Sequence, residues 1–215
     1  MKKNVVILIS GRGSNMEALL TAAADPAYPA RVAAVLSNRP DARGLATAQA
    51  AGVPVAALDH KAYPDREAFD RALMERIDAF APDLVVLAGF MRILSEAFVV
   101  HYAGRLINIH PSLLPAFPGL HTHQRALEAG CRIHGCTVHF VTPALDHGPA
   151  IIQAAVPVLD GDDEDRLAAR VLAQEHRIYP AAVRWFAEGR LTVANGRVLR
   201  VGPAEEGALL APSLD

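Results

Sequence analysis

The 215-residue chain is short of cysteine, of net charge and of long apolar runs, and each shortage excludes something. Its two cysteines, Cys131 and Cys136, are too few for a four-cysteine zinc site or a disulfide framework. With 21 Lys and Arg against 23 Asp and Glu, the formal charge is -2, so no global field draws the chain to nucleic acid. The longest apolar run, Leu84–Met91, is far short of the roughly 20 residues that span a bilayer. Lys2 and Lys3 precede a shorter run that Ser10 and Gly11 end, below the roughly seven residues of a signal-peptide core. These readings predict a cytoplasmic protein with free thiols, whose partners are small molecules rather than nucleic acid or a membrane. Chemical signatures are missing too. There is no Gly-x-Ser-x-Gly elbow, which weakens a serine-hydrolase reading. None of the nine histidines has the His-Glu-x-x-His spacing, so no metal is expected, at His121 and His123 or at His139 and His147.

What is present is a globular composition: 52% hydrophobic and 20% charged residues, enough to build a core. Asn4–Ile9 is apolar from Val5 onward, as expected of a strand buried on both faces. Met16–Ala24 reads as helix, Arg31–Leu36 as strand, Asp41–Ala51 as helix and Val55–Leu58 as strand. Asp65 caps a helix running to about Ala79, with Phe69, Leu73 and Ile77 four apart on one face. Leu84–Leu87 is a fourth buried strand. This alternation predicts an α/β fold, an open and mostly parallel Rossmann-like sheet in three layers. Further strands are expected at Leu106–Ile109, Cys136–Val141 and Ala150–Leu159. The acidic run Asp162–Asp165 reads as the first turn of a helix reaching about Phe186, its carboxylates complementing the helix dipole. Asn195–Gly196 predicts a hairpin between Leu191–Ala194 and Arg197–Val201. Residues 1–201 are expected to form one domain, followed by a loose tail over 202–215.

Two segments carry chemistry. Ser10–Gly11–Arg12–Gly13–Ser14–Asn15 lies between a strand and a helix, where backbone N–H groups and the helix dipole suit a phosphate. Gly13 is expected to keep open the space through which it approaches. Met16 replaces the third glycine of a dinucleotide fingerprint, and Gly-Ser-Asn replaces the Gly-Lys-Ser/Thr of a Walker loop. NAD and ATP are therefore disfavoured, and a tight turn without a ligand stays an alternative. The second segment is Asn108–Ile109–His110. Period-2 alternation puts Asn108 and His110 on one face, at the end of a strand, where an amide and an imidazole can stabilise an oxyanion. Leu145–Asp146–His147–Gly148–Pro149 is a turn holding an acid. A carboxylate brought near His110 would favour the charged ring.

These residues together resemble the phosphoribosylglycinamide formyltransferase family, from Val5 to about Leu191. The resemblance lies in Ile9–Asn15, Leu87–Leu94, Asn108–Pro115, Pro118–His123 and Gly135–Val141. It implies transfer of a formyl group from 10-formyltetrahydrofolate, a cosubstrate, to the amine of 5-phosphoribosylglycinamide, with no metal. Asn108, His110 and Asp146 match the family's catalytic trio. Gly13, Ser14 and Asn15 match its phosphate loop, and Glu175 a group that binds the substrate ribose. Met91, Arg92, Ile93 and Leu94 match the wall that holds the folate pterin, which Asn108 also borders. Thr142, Pro143, Ala144, Leu145 and Asp146 match a loop that closes on the pterin. Arg66 aligns with a residue near the folate tail. His147 departs from the small residue expected beside the aspartate. Formyltetrahydrofolate hydrolases carry an extra N-terminal regulatory domain, and methionyl-tRNA formyltransferases a C-terminal RNA-binding domain. A first strand at Asn4 and a short tail disfavour both. A non-catalytic nucleotide-binding module is the remaining rival, and it would not need Asn108, His110 and Asp146 together. Monomer and homodimer stay open.

Overall fold

The computed structural model describes residues 1–202; the remainder of the expected tail lies outside the described residues. In chain order the elements are β1 (Lys3–Ile9), α1 (Ser14–Ala24), β2 (Ala30–Ser37), α2 (Arg43–Ala50), β3 (Val55–Ala57), α3 (Arg66–Asp78), β4 (Leu84–Leu87), α4 (Glu96–His101), β5 (Leu106–His110), α5 (Thr122–Glu128), β6 (Ile133–Phe140), β7 (Ala150–Pro157), α6 (Glu164–Ala187), β8 (Leu191–Ala194) and β9 (Arg197–Arg200). The first seven strands form one sheet in the order β3-β2-β1-β4-β5-β6-β7. The pairs among β1 to β5 are parallel, and β6 runs antiparallel to both its neighbours. β8 and β9 pair as the expected hairpin.

Alternation along the strands divides the core between the two faces of the sheet. Val5, Ile7 and Ile9 of β1 pack with Met16 and Leu19 of α1 and with Leu167, Val171 and Tyr179 of α6. Val6 and Leu8 turn the other way, onto Phe69, Leu73 and Ile77 of α3 and Phe98 of α4. Each fully buried Leu, Ile or Phe is worth about 1.5–3 kcal/mol, which is why the alternating set pins the register. The result is the three-layer architecture expected. Asp65 caps α3 by accepting from the Ala68 N–H at 2.7 Å, and α6 runs unbroken through Pro180.

One local expectation is corrected, and two short helices are added. The acidic run does not lie wholly in the first turn of α6. Asp163 is the cap, accepting from the Arg166 N–H, while Asp162 stands outside the helix. Asp162 accepts from the Leu159 N–H and pairs with Arg170 at 2.7 Å, which holds its carboxyl down at about 2. The short helices α4 and α5 were not expected. Ser95 starts α4 by accepting from the Phe98 N–H, and α5 lies in a histidine-rich stretch without an apolar stripe.

Candidate active site

β1, β2 and β3 run out to one side of the sheet, while β4 and β5 lie on the other side of β1. The crevice beyond β1 and β4 is thus a topological switch point, where open α/β sheets bind their ligands. The turn after β1 and the segment after β4 meet there. The Ser10 N–H donates to the Gly89 carbonyl at 3.1 Å, and the Met91 N–H to Ser10 Oγ at 2.8 Å. Between them opens a cavity of about 530 Å³, lined by Gly11–Asn15, Gly89, Met91 and Arg92 among others.

Gly13 is the N-cap of α1, with φ 76° and no side chain to cap the helix, which leaves the first N–H groups of α1 without a side-chain partner. Its expected role needs correction. A Cβ there would point inward, 3.3 Å from Met16 Cε and 3.6 Å from Ile9, not into the phosphate space. Gly13 is needed because the turn is left-handed, so substituting it strains the fold as well as the site. Asn15 Nδ2 donates to Glu175 Oε2 at 2.7 Å, tying α1 to α6. Burial pushes the Glu175 carboxyl above its usual range, against that hydrogen bond. Asn15 Oδ1 is buried with no protein partner.

On the opposite face of the sheet, β5 carries Asn108 and His110 toward the same edge. His110 and Asp146 have side chains only 7% and 8% exposed, with Nδ1 3.5 Å from Oδ2. Asp146 reaches this position from the turn after β6, with a left-handed backbone at φ 50°. Gly148 allows that turn to close, since a Cβ there would overlap the Phe140 carbonyl. The other ring nitrogen, Nε2, donates to the Phe117 carbonyl at 3.0 Å, and the Gly119 N–H donates to Asp146 Oδ2 at 2.8 Å. Both nitrogens of His110 therefore face oxygen atoms. The 3.5 Å separation at Nδ1 is longer than a good hydrogen bond, which leaves that N–H free for a third oxygen.

Asn108 is steered by a residue the sequence reading left unassigned to it. His139 on β6 stands opposite Asn108 in the ladder, and its Nε2 is 3.4 Å from Asn108 Nδ2. His139 Nδ1 donates to the Phe140 carbonyl at 3.0 Å, so Nε2 is the acceptor of a neutral ring. Burial lowers the His139 pKa and keeps it neutral. Nothing but the β5–β6 register could have pointed to this pairing.

Of the other expected residues, Met91 and Ile93 are exposed at 72% and 63%, forming an apolar rim. Phe69 of α3 lies under the Arg92 guanidinium at 4.9 Å, and Asp70 accepts from the Ser95 N–H at 2.6 Å, so α3 braces this segment. Arg66 opens α3 and leans on its neighbour Glu67 at 3.4 Å. Thr142 Oγ1 donates to the Ala144 carbonyl, a contact within its own loop; Pro143, Ala144 and Leu145 are exposed. His147 is exposed and leaves the His110–Asp146 pair intact. Burial pushes the Cys136 thiol up to about 12, marking it as packing rather than reactive. Among the described residues no group of His, Cys, Asp and Glu could hold a metal, and no helix is long and apolar enough to cross a membrane.

His123 and His134 meet beneath the proline-rich segment, His134 Nε2 lying 3.2 Å from His123 Nδ1. Burial, then the neighbouring His123, pushes His134 down to about 4, against a hydrogen bond to Pro111. A histidine that is neutral when folded and titrates near 6.5 when unfolded takes up its proton first in the unfolded chain. Stability should therefore fall as pH drops from about 6.5 toward 4, with no contribution above that window. His134→Gln is expected to shrink the drop in melting temperature between pH 7.5 and pH 5, measured by circular dichroism. An undiminished drop would assign the acid sensitivity elsewhere.

A doubly wound sheet with a glycine-rich turn at its switch point and a buried His–Asp pair at a strand end defines an α/β protein with a small-molecule site. Known relatives narrow that class. Residues 3–183 match the formyl transferase family model, and the chain belongs to that family. It is 58% identical over 188 residues to the phosphoribosylglycinamide formyltransferase of Escherichia coli K12, covering 87% of this chain and 89% of that protein. It is 46% identical to the bovine trifunctional purine biosynthetic protein adenosine-3, covering 92% of this chain but 20% of that larger protein. The crystal structure of glycinamide ribonucleotide transformylase 1 from Symbiobacterium toebii superimposes with a TM-score of 0.91 at 51% identity, covering 94% of this chain and 95% of that one.

Proposed function

We propose that this chain transfers the formyl group of 10-formyltetrahydrofolate to the amine of 5-phosphoribosylglycinamide, giving the formylated ribonucleotide and tetrahydrofolate, in purine biosynthesis in the cytoplasm. The unit would be a single domain over residues 1–201. The observation that carries this reading is the buried His110–Asp146 pair, 3.5 Å apart, which joins the strand carrying Asn108 and His110 to the turn after β6. A neighbouring turn offers free helix N–H groups to a phosphate.

The amine nitrogen attacks the formyl carbon, and the carbonyl electron pair moves onto oxygen. That oxyanion is matched by two donors: His110 Nδ1–H, which carries the positive charge, and the second N–H of the Asn108 amide. His110 Nε2 is already committed to Phe117 and so acts as the anchor of the ring. Asp146 keeps the ring protonated at Nδ1 and helps the attacking nitrogen lose its proton. The bond from carbon to the folate nitrogen then breaks, and that nitrogen takes a proton. No covalent enzyme adduct is needed, because an N-formyl donor is already activated. Gly13, Ser14 and Asn15 would hold the phosphate, and Glu175, tied to Asn15, the ribose. Met91, Arg92, Ile93 and Leu94, with the loop Thr142–Asp146, would flank the pterin, where exposed Met91, Ile93 and Leu145 give it apolar surface. Arg66 would serve the anionic tail after its guanidinium leaves Glu67.

The test mixes the protein with both substrates and follows folate absorbance together with the mass of the ribonucleotide product. The expected result is a formylated product in step with tetrahydrofolate, and no turnover without the amine. Turnover at the same rate without the amine would replace transfer by hydrolysis.

A further inference from the structure

The segment after the proline-rich stretch touches both members of the central pair. The Phe117 carbonyl accepts from His110 Nε2 at 3.0 Å, and the Gly119 N–H donates to Asp146 Oδ2 at 2.8 Å. The segment holds an improbable shape. Phe117 and His121 have φ 52° and 55°, in the left-handed region that bulky residues avoid. Such backbone persists only where its surroundings over-determine it. One side chain holds it at three points. Arg125, on α5, lies over the Phe117 ring at 5.5 Å, and its Nη1 donates to the Pro118 carbonyl at 2.6 Å and to the Leu120 carbonyl at 3.3 Å. It therefore grips the segment on both sides of Gly119.

We infer that Arg125 is a positioning residue for formyl transfer: it clamps residues 117–120 so that the Phe117 carbonyl orients His110 and the Gly119 N–H orients Asp146. Among the described residues no hydrogen bond joins Arg125 to either member of the pair, and its effect runs through the loop backbone. A planar guanidinium can stack on the ring while donating to two carbonyls, and lysine cannot do both. The inference rests on the formyl-transfer reading, and it adds a residue that acts on rate rather than on binding.

The experiment compares wild type, Arg125→Ala and Arg125→Lys in the same assay. Arg125→Ala should lower kcat about tenfold and leave KM for both substrates within about twofold, because Arg125 is not among the residues assigned to either substrate. Arg125→Lys, which keeps a donor for the Pro118 carbonyl, should recover part of the loss. The His110 Nε2 proton, held by Phe117, should give an NMR signal in wild type that Arg125→Ala loses to faster exchange. An Arg125→Ala enzyme with wild-type kcat, or with raised KM at unchanged kcat, or with an intact His110 signal, would overturn the clamp while leaving the transfer reading in place. A wild type with no transfer activity would overturn the reading, and the clamp with it.

Discussion

Asp146→Asn is expected to lower kcat by about 10³–10⁴, roughly 4–5 kcal/mol in the barrier, while both substrates still bind. The substitution keeps nearly everything but the charge. Asparagine tolerates the left-handed backbone at φ 50°, and its amide oxygen can still accept from the Gly119 N–H. Both side chains of the pair are almost fully buried, so no solvent charge replaces the lost carboxylate. In the mechanism proposed, the ring would then lack its counter-ion and the attacking amine its proton acceptor. Steady-state rates with calorimetric titration of each substrate check the result. A variant with weakened binding and unchanged kcat would make Asp146 a binding residue.

His110→Asn is expected to cost about 10²–10³ in kcat. An asparagine amide can put a neutral donor near the place of Nδ1, so the residual rate measures geometry without charge. It also loses the link to the Phe117 carbonyl, 3.0 Å from Nε2 in the wild type. Single-turnover rates separate this from slow product release. A loss below about threefold would mean that the cation is not what stabilises the oxyanion.

The parts of this molecule that were legible in its sequence are those where local chemistry and tertiary structure agree. β1 from Val5 onward and β4 throughout are apolar because both faces of the sheet are covered, and Asp65 announces the start of α3. The turn at Gly11–Asn15 and the pair Asn108 and His110 followed from punctuation and strand period. What stayed hidden depends on distant pieces of chain. Asp146 meets His110 only because β6 returns antiparallel beside β5. The same register sets His139 against Asn108, and no pattern within β6 marks it. The inward direction at Gly13 is hidden too, because a glycine-rich turn says that a side chain is excluded, not from which side. Phe117 was hidden for another reason: its carbonyl, not its ring, touches His110.

The central claim is that His110 and Asp146 act as one unit in the transfer step. The direct measurement is the single-turnover transfer of labelled formyl, at saturating substrates, by wild type, Asp146→Asn, His110→Asn and the double mutant. If the two residues form a unit, the double mutant should be about as slow as the slower single mutant, because the second substitution removes nothing further. Losses that multiply in the double mutant would contradict the pair and assign the two residues to separate tasks.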